Sequence, residues 1–422
     1  MTAADLARLQ FAATTGIHWL FVVLTMGLVP LVAALHTRAA YTRDPARRAV
    51  RERMTRFWGQ LYVINYAVGI ATGLVMEFQF GLNWSGLSKY AGNVFGAPLA
   101  LETLIAFFAE STFLGMWIFG WGRLRTGVHV TLIWLVALTA YASAYWIMVA
   151  NGFMQHPVGH QVRDGVAYLT DFGAQLTNPS ALVALGHVAL GALTTGGVFV
   201  AGISAWHFAR GTGEPELFRG SLRLGVWVSM LASFFVVVVG ELQMPVLERT
   251  QPMKVAVLTG DGVAALQEQL VREHGPGDYV PWQDTLRISM DAMTLIGNTV
   301  STVTLVAVIL LRKDRLVRWR PLAYLMTAMI PLPFLASVAG WIVREVGRQP
   351  WLIYGELTVE DALSHVGTGA LTVSCAVFIA VFLGLAVTNW TLITRFARRG
   401  PSATQLGTTD PAEPERPTVP SY

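Results

Sequence analysis

Long apolar stretches alternate with short polar connections along almost the whole chain. Nine stretches, near 12–36, 57–80, 97–121, 128–150, 180–209, 222–243, 286–311, 321–343 and 365–392, reach the roughly 20 residues that a helix needs to cross a hydrocarbon core of about 30 Å. With no water in that core to satisfy its peptide groups, such a run closes its hydrogen bonds within itself as a helix. The pattern therefore predicts an all-α, polytopic membrane protein of about nine transmembrane helices, with residues 1–399 forming the bundle. One connection, 244–285, is long and rich in Glu and Asp, and a loop of that length in a compact protein is more often functional than filler. The segment after Arg399, rich in Pro, Thr and Glu, predicts a disordered tail over 400–422.

Composition supports the membrane reading. Charged residues make up 13% of the chain and apolar ones 54%, about half the charge of an ordinary soluble domain. That is too little polar surface to cover a soluble globule. The basic residues then give an orientation. Of 30 Lys and Arg, 21 fall near 37–56, 122–127, 210–223, 312–320 and in the C-terminal tail. Retention of positive charge on the cytoplasmic side places the N-terminus outside and the C-terminus inside, as an odd number of crossings requires. The net charge of +4 is thus explained by topology, and nucleic acid is not an expected partner. A single cysteine, Cys375, excludes a disulfide framework and a thiolate metal cluster. The N-terminal MTAADLARLQF carries acid as well as base and lacks a small-residue cleavage site after its apolar run, so the first stretch reads as a spanning helix rather than a signal peptide.

Ionisable groups inside a bilayer are costly and point to function. Among nine histidines, His36, His129 and His207 fall at cytoplasmic helix ends and His156, His160 and His274 in outside loops, where interfacial or solvated roles suffice. His365 begins the last stretch and is ambiguous. His18 and His187 lie well within apolar runs, each about 10 Å below the outer start of its helix at 1.5 Å per residue. Two histidines at one depth, with buried carboxylates nearby, favour a bound metal or haem over two hydrogen-bonded core residues. The carboxylates are Glu102 and Glu110 in the third stretch, with Glu77, Glu241 and Glu345 closing others. Eight residues apart, Glu102 and Glu110 stand on roughly one helix face, suited to a proton relay; the competing reading pairs them with Arg287, Arg344 or Arg348. No H-E-x-x-H pair or phosphate-binding glycine loop occurs. Met290 and Met293 begin the seventh stretch at the outer depth, and thioether with imidazole is a familiar axial pair for an electron-transferring haem.

Several strings carry a resemblance: RLQFAATTGIH (Arg8 to His18), RFWGQLYVINYAVGIATGLVMEFQFGLNWS (Arg56 to Ser85), FGAPLALETLIAFFAESTF (Phe95 to Phe113), WIMVANGFMQHPVG (Trp146 to Gly159), QPMK (Gln251 to Lys254) and GRQPW (Gly347 to Trp351). From about Arg8 to Trp351 the chain resembles subunit I of cytochrome bd-type oxidases, with weaker likeness beyond. The resemblance implies two b-type haems and a haem d, or a third haem b. It also implies a second membrane subunit (subunit II), a small accessory helix as a further partner, and residence in the bacterial inner membrane. Quinol is oxidised at the outer face, and O2 is reduced to water with protons from the cytoplasm. By position, His18 and Glu345 resemble iron ligands at the oxygen site, and His187 the low-spin haem ligand. Glu102, Glu110, Ser111 and Ser143 resemble proton-path and haem-site residues, while Arg348, Arg287 and Trp341 belong to the haem surroundings. Gln251, Lys254 and Glu241 fall at quinol-site positions in a loop of the short type.

Two positions depart from the family pattern. The second low-spin ligand is a Met directly after Arg-Ile; here Arg287-Ile288 is followed by Ser289, with Met290 one place later. On a helix that shift rotates a side chain by about 100°. The Glu expected five residues after Lys254 is Thr259, which is no base near neutral pH. Three readings follow: a quinol:O2 oxidoreductase with Met290 and Glu241 or Glu248 in the altered roles; a divergent oxygen reductase with another electron donor; and a haem protein that binds gases without turnover.

Overall fold

The computed structural model describes residues 2–407, apart from the side chains of Phe80, Ile105, Ala106, Phe107 and Lys313. Helix α1 (Ala3–Ala40) starts on a capping box, Thr2 Oγ1 accepting from the Asp5 amide and the Asp5 carboxylate from that of Thr2. Helix α2 (Pro45–Asn83) starts on Asp44 with Pro45 in its first turn. These helices have 38 and 39 residues, close to 57 Å at 1.5 Å per residue. Both therefore outrun a 30 Å core and carry the ends of the predicted stretches well beyond it.

The third stretch differs from expectation. It is divided into α3 (Ser85–Glu102), a π-helical segment (Thr103–Glu110) and α4 (Ser111–Phe119). Among the described residues, eight helices are long and apolar enough to cross a membrane; the expected crossing at 97–121 is helical almost throughout, but no single α-helix carries it. A π segment widens the turn, and such segments concentrate at functional sites. Here it lies between Glu102 and Glu110.

Helix α5 (Thr126–Gln155) leads into a hairpin, β1 (His160–Arg163) with β2 (Val166–Leu169), and the short α6 (Phe172–Leu176). Helices α7 (Pro179–Ala209) and α8 (Pro215–Glu241) follow. The long connection is folded into α9 (Met244–Thr250), α10 (Pro252–Thr259) and α11 (Val263–His274). Proline in the first turn of α9 and of α10 sets these breaks. Then come α12 (Gln283–Leu310), the single-turn α13 (Arg315–Arg318), α14 (Arg320–Ala328), α15 (Pro331–Val346), the hairpin β3 (Trp351–Ile353) with β4 (Leu357–Thr358), the one-turn α16 (Val359–Ala362) and α17 (Thr368–Arg399).

Close backbone crossings fix α1, α7 and α8 against one another. A Cβ at Gly27 would fall 2.1 Å from the Ala192 carbonyl oxygen, and one at Gly197 would fall 2.7 Å from the Ser229 nitrogen. Small residues at such crossings let helices pack without a hydrophobic driving force. This crossing joins the helices that carry His18 and His187.

At the basic end of the bundle, His36, His129 and His207 are buried rather than solvated, at 5%, 5% and 8% exposure. Trp117 Nε1 donates to His36 Nδ1, and His129 and His207 donate to the carbonyls of Trp117 and Ala397. Helices α1 and α5 extend past their predicted stretches at this end, which draws His36 and His129 inside, and His207 stacks on Phe218 at 3.8 Å between ring centroids. The start of the expected tail also packs: Leu406 is buried near Gly59, and its amide donates to Gln60 Oε1 at 3.2 Å. Residues 408–422, the rest of that expected tail, lie outside the described residues.

Candidate functional site

A cavity of about 850 Å³ opens between α1, α2, α3, α5 and α15, within the 300–1,000 Å³ usual for cofactor sites. His18, Glu102, Glu110, Ser143, Trp341, Glu345 and Arg348 all line it, together with Glu77. Seven residues expected from the sequence to act together are thus brought to one space.

The ring of His18 is held at one nitrogen. Thr72 Oγ1 gives its single hydrogen to the Val68 or Gly69 carbonyl, so it accepts from His18 Nδ1 at 2.8 Å. The Nε2 lone pair is left for an electrophile, the usual arrangement of a metal-ligating histidine with a supporting hydrogen bond. Gly73 faces the ring edge, where a Cβ would come within 3.3 Å of His18 Cε1. Trp341 stacks on Trp19 at 5.3 Å between centroids and 9° between planes, and Trp19 donates to Ser337, so the aromatic wall is fixed.

Glu345 closes α15 with both carboxylate oxygens engaged. Oε1 accepts from Asn151 Nδ2 at 2.9 Å and Oε2 from Arg348 Nη2 at 2.6 Å. Arg348 is 3% exposed, and its Nε and Nη1 have no partner among the described residues, nor has Arg8 Nε on the same cavity wall. A buried guanidinium with two unused donors is costly unless an anionic group completes it. Haem, with its propionates, fits: an imidazole, a carboxylate, an aromatic wall and guanidinium groups with unsatisfied donors line one apolar space.

Among the described residues, Glu102 and Glu110 have no arginine partner. Ser143 Oγ donates to Glu102 Oε1 at 2.9 Å, Glu77 lies in hydrogen-bonding contact with Glu102, and Thr103 donates to Glu77. Glu110 is 4% exposed, with Oε1 unpartnered among the described residues. Ser111 follows it at the head of α4 but is not part of the cavity wall.

His187 belongs to a different place. Its Nδ1 donates to the Val236 carbonyl of α8 at 3.0 Å, and Gly240 leaves room for the ring, a Cβ there falling 3.2 Å from Cε1. Its neighbour Val188, not His187, lines the cavity. Nε2 again keeps its lone pair. Met290 packs among Met253, Val257, Leu286 and Val343 under the loop helices, while Met293 presses its sulfur on Gly340. Ser289 is buried at 8% exposure.

The loop residues turn inward. Gln251 and Lys254 are 0% and 1% exposed; burial, with the neighbouring Arg344 charge, holds the Lys254 ammonium well below the ordinary lysine value. Arg287 donates from Nε to the Val257 carbonyl at 2.7 Å, pinning α10 to α12, and is not on the cavity wall. Thr259 returns its hydroxyl to the Val255 carbonyl, and Glu241 and Glu248 are exposed. Sequence reasoning missed Thr72, Asn151 and Gln155, ordinary polar residues whose partners lie far away along the chain; only the strings from Arg56 to Ser85 and from Trp146 to Gly159 contained them.

Residues 6–271 and 261–401 match the family described as cytochrome bd terminal oxidase subunit I. The chain is 37% identical over 447 positions to a Bacillus subtilis (strain 168) protein named cytochrome bd ubiquinol oxidase subunit 1, covering 95% of this chain and 94% of that one. It is 31% identical to the cytochrome bd-II ubiquinol oxidase subunit 1 of Escherichia coli (strain K12), over 95% and 97% of the two. Its fold matches the structure of the bd oxidase from Geobacillus thermodenitrificans with a TM-score of 0.83 at 24% identity, over 94% of this chain and 98% of that one. The chain is a multi-pass membrane protein and belongs to the cytochrome bd oxidase subunit I family, the haem-bearing subunit of a terminal oxidase.

Proposed function

We propose that this subunit oxidises quinol at the outer face of the bacterial inner membrane and reduces O2 to water with cytoplasmic protons. Its N-terminus lies outside, its C-terminus inside, and it works beside subunit II and a small accessory helix. It holds two b-type haems and a haem d, or a third haem b. The observation that carries this reading is the convergence of His18, Glu345, Glu102 and Glu110 on one cavity, where Arg348 Nε and Nη1 and Glu110 Oε1 have no partner among the described residues.

His18 Nε2 and the Glu345 carboxylate are the iron ligands of the oxygen site, and Arg348 offsets propionate charge. When bound, the haems would relay the electrons from quinol and supply the metal at which O2 is held. Glu110 takes up protons from the cytoplasmic side and passes them towards Glu102, where Ser143 and Glu77 hold the carboxyl in a hydrogen-bonded cluster. Trp341 and Trp19 exclude water from the apolar wall. His187 binds the low-spin haem beside α8, with Met290 as the second ligand. Quinol meets the outer loop, where Glu241 or Glu248 takes the proton that Thr259 is unable to accept.

A second reading, an oxygen reductase with another electron donor, is favoured by the loop: Gln251 and Lys254 face inward, and Thr259 bonds to its own helix. Gas binding without turnover accounts poorly for the unpaired acids. Oxygen uptake by the purified two-subunit complex decides between the first two. Quinol analogues are expected to support uptake; intact haem spectra with no quinol-dependent uptake would reject quinol as donor.

A further inference from the structure

One side chain joins the outer loop to the oxygen-site carboxylate. Gln155, the last residue of α5, is 2% exposed. Its Oε1 accepts from Gln251 Nε2 at 2.7 Å and from Lys254 Nζ at 3.2 Å, while its main-chain carbonyl accepts from Gln251 at 2.8 Å. Its Nε2 donates to Glu345 Oε1 at 3.4 Å and to the Arg344 carbonyl at 3.3 Å. This amide orientation is dictated by its neighbours, because the flipped amide would set its NH2 group against two donors. Lys254 also reaches the Arg344 carbonyl, at 3.0 Å, by crossing Gly347, where a Cβ would fall 2.4 Å from Lys254 Cε. A glycine in GRQPW is therefore what lets the lysine stem through.

We propose that Gln155 is a positioning residue: it sets the tilt of the Glu345 carboxylate and couples it to the packing of the 244–285 loop through Gln251 and Lys254. Lys254 then acts on the oxygen site from behind, as a buried strut. Bond lengths order the contributions. Asn151 and Arg348, at 2.9 and 2.6 Å, hold the carboxylate, and the longer bond from Gln155 adjusts it. The proposal rests on Glu345 being an iron ligand.

The test uses the purified two-subunit complex, chemically reduced so that the electron donor plays no part, with CO as probe. Gln155→Leu is expected to shift the CO-bound spectrum of the oxygen-site haem and weaken CO binding about three- to tenfold, the effect of one modest hydrogen bond. The low-spin band stays in place. Gln155→Glu keeps the acceptor for Gln251 and Lys254 but sets a carboxylate against Glu345; it is expected to leave the loop resistant to protease while shifting the spectrum. Lys254→Met is expected to shift it in the same direction as Gln155→Leu, by less. A wild-type CO spectrum and affinity in Gln155→Leu would overturn the proposal. If that variant loses haem, an unshifted spectrum in both Gln155→Glu and Lys254→Met overturns it instead. Glu345→Gln with a wild-type oxygen-site spectrum defeats the ligand reading itself, a failure distinct from the other two.

Discussion

The cavity beneath Arg348 and the seam beneath the outer loop are built on opposite plans. In the cavity wall, polar groups keep capacity to spare: a ring nitrogen of His18, and two buried guanidinium nitrogens of Arg348 and a buried oxygen of Glu110 that have no partner among the described residues. In the seam, Gln251, Lys254 and Arg287 spend their donors on the protein's own amide and carbonyl oxygens, and Met290 is packed in an apolar cluster. Spare donors in a buried site call for a ligand, because an unsatisfied buried donor is expensive; donors satisfied within the protein mark a scaffold, and in the seam it is an acceptor, Gln251 Oε1, that has no partner among the described residues. The oxygen site thus has the character of a binding site, and the loop anchors that of a clamp holding it.

The largest effect that would break this contrast is at His18. His18→Ala is expected to remove haem from the oxygen site while the low-spin band persists, since His187 is held separately by α8. Haem content and reduced-minus-oxidised spectra measure it. Full haem content in the variant would mean that the spare nitrogen is not a ligand and that the cavity is not distinguished from the seam.

Next is Glu110. Glu110→Gln keeps the shape and one hydrogen-bonding oxygen but no longer carries a proton, so turnover is expected to fall by about 10²-fold, the low end for a positioned acid–base group. Haem spectra should be unchanged. Unaltered oxygen uptake would reduce the acid to a packing role.

How far these two regions were legible in the sequence follows from how each is made. His18, Glu102 and Glu345 sit on helices, whose regular rise converts spacing into depth, so their place towards one side of the bundle was anticipated; Arg348, in the turn after α15, was expected there from the resemblance alone. The nine-crossing count was read from hydropathy, which does not report backbone phase; it therefore missed the π segment between Glu102 and Glu110. The burial of His36 and His129 was missed because hydropathy ends a stretch at the first basic residues, whereas α1 runs on to Ala40. Gln155 illustrates the deeper limit. Its partners Gln251 and Glu345 are 96 and 190 residues away, and no local pattern encodes a contact of that range.

The smallest and sharpest test lies where the two plans meet, at Met290. Ser289 occupies the position at which the family carries a methionine, and Met290, one residue on, is rotated by about 100° into the cluster of Met253, Val257, Leu286 and Val343. If Met290 is the second ligand of the His187 haem, the start of α12 rearranges when haem binds, because thioether packing among apolar side chains and coordination of iron are exclusive. Met290→Leu conserves volume and costs less than about 1.5 kcal/mol in packing, so the complex should assemble and its spectrum be interpretable. Loss of the low-spin band is the outcome expected of a ligand. An unchanged band would leave Met290 in the clamp, consistent with its present neighbours, and move the search for the second ligand to Met293, whose sulfur already faces α15 at Gly340.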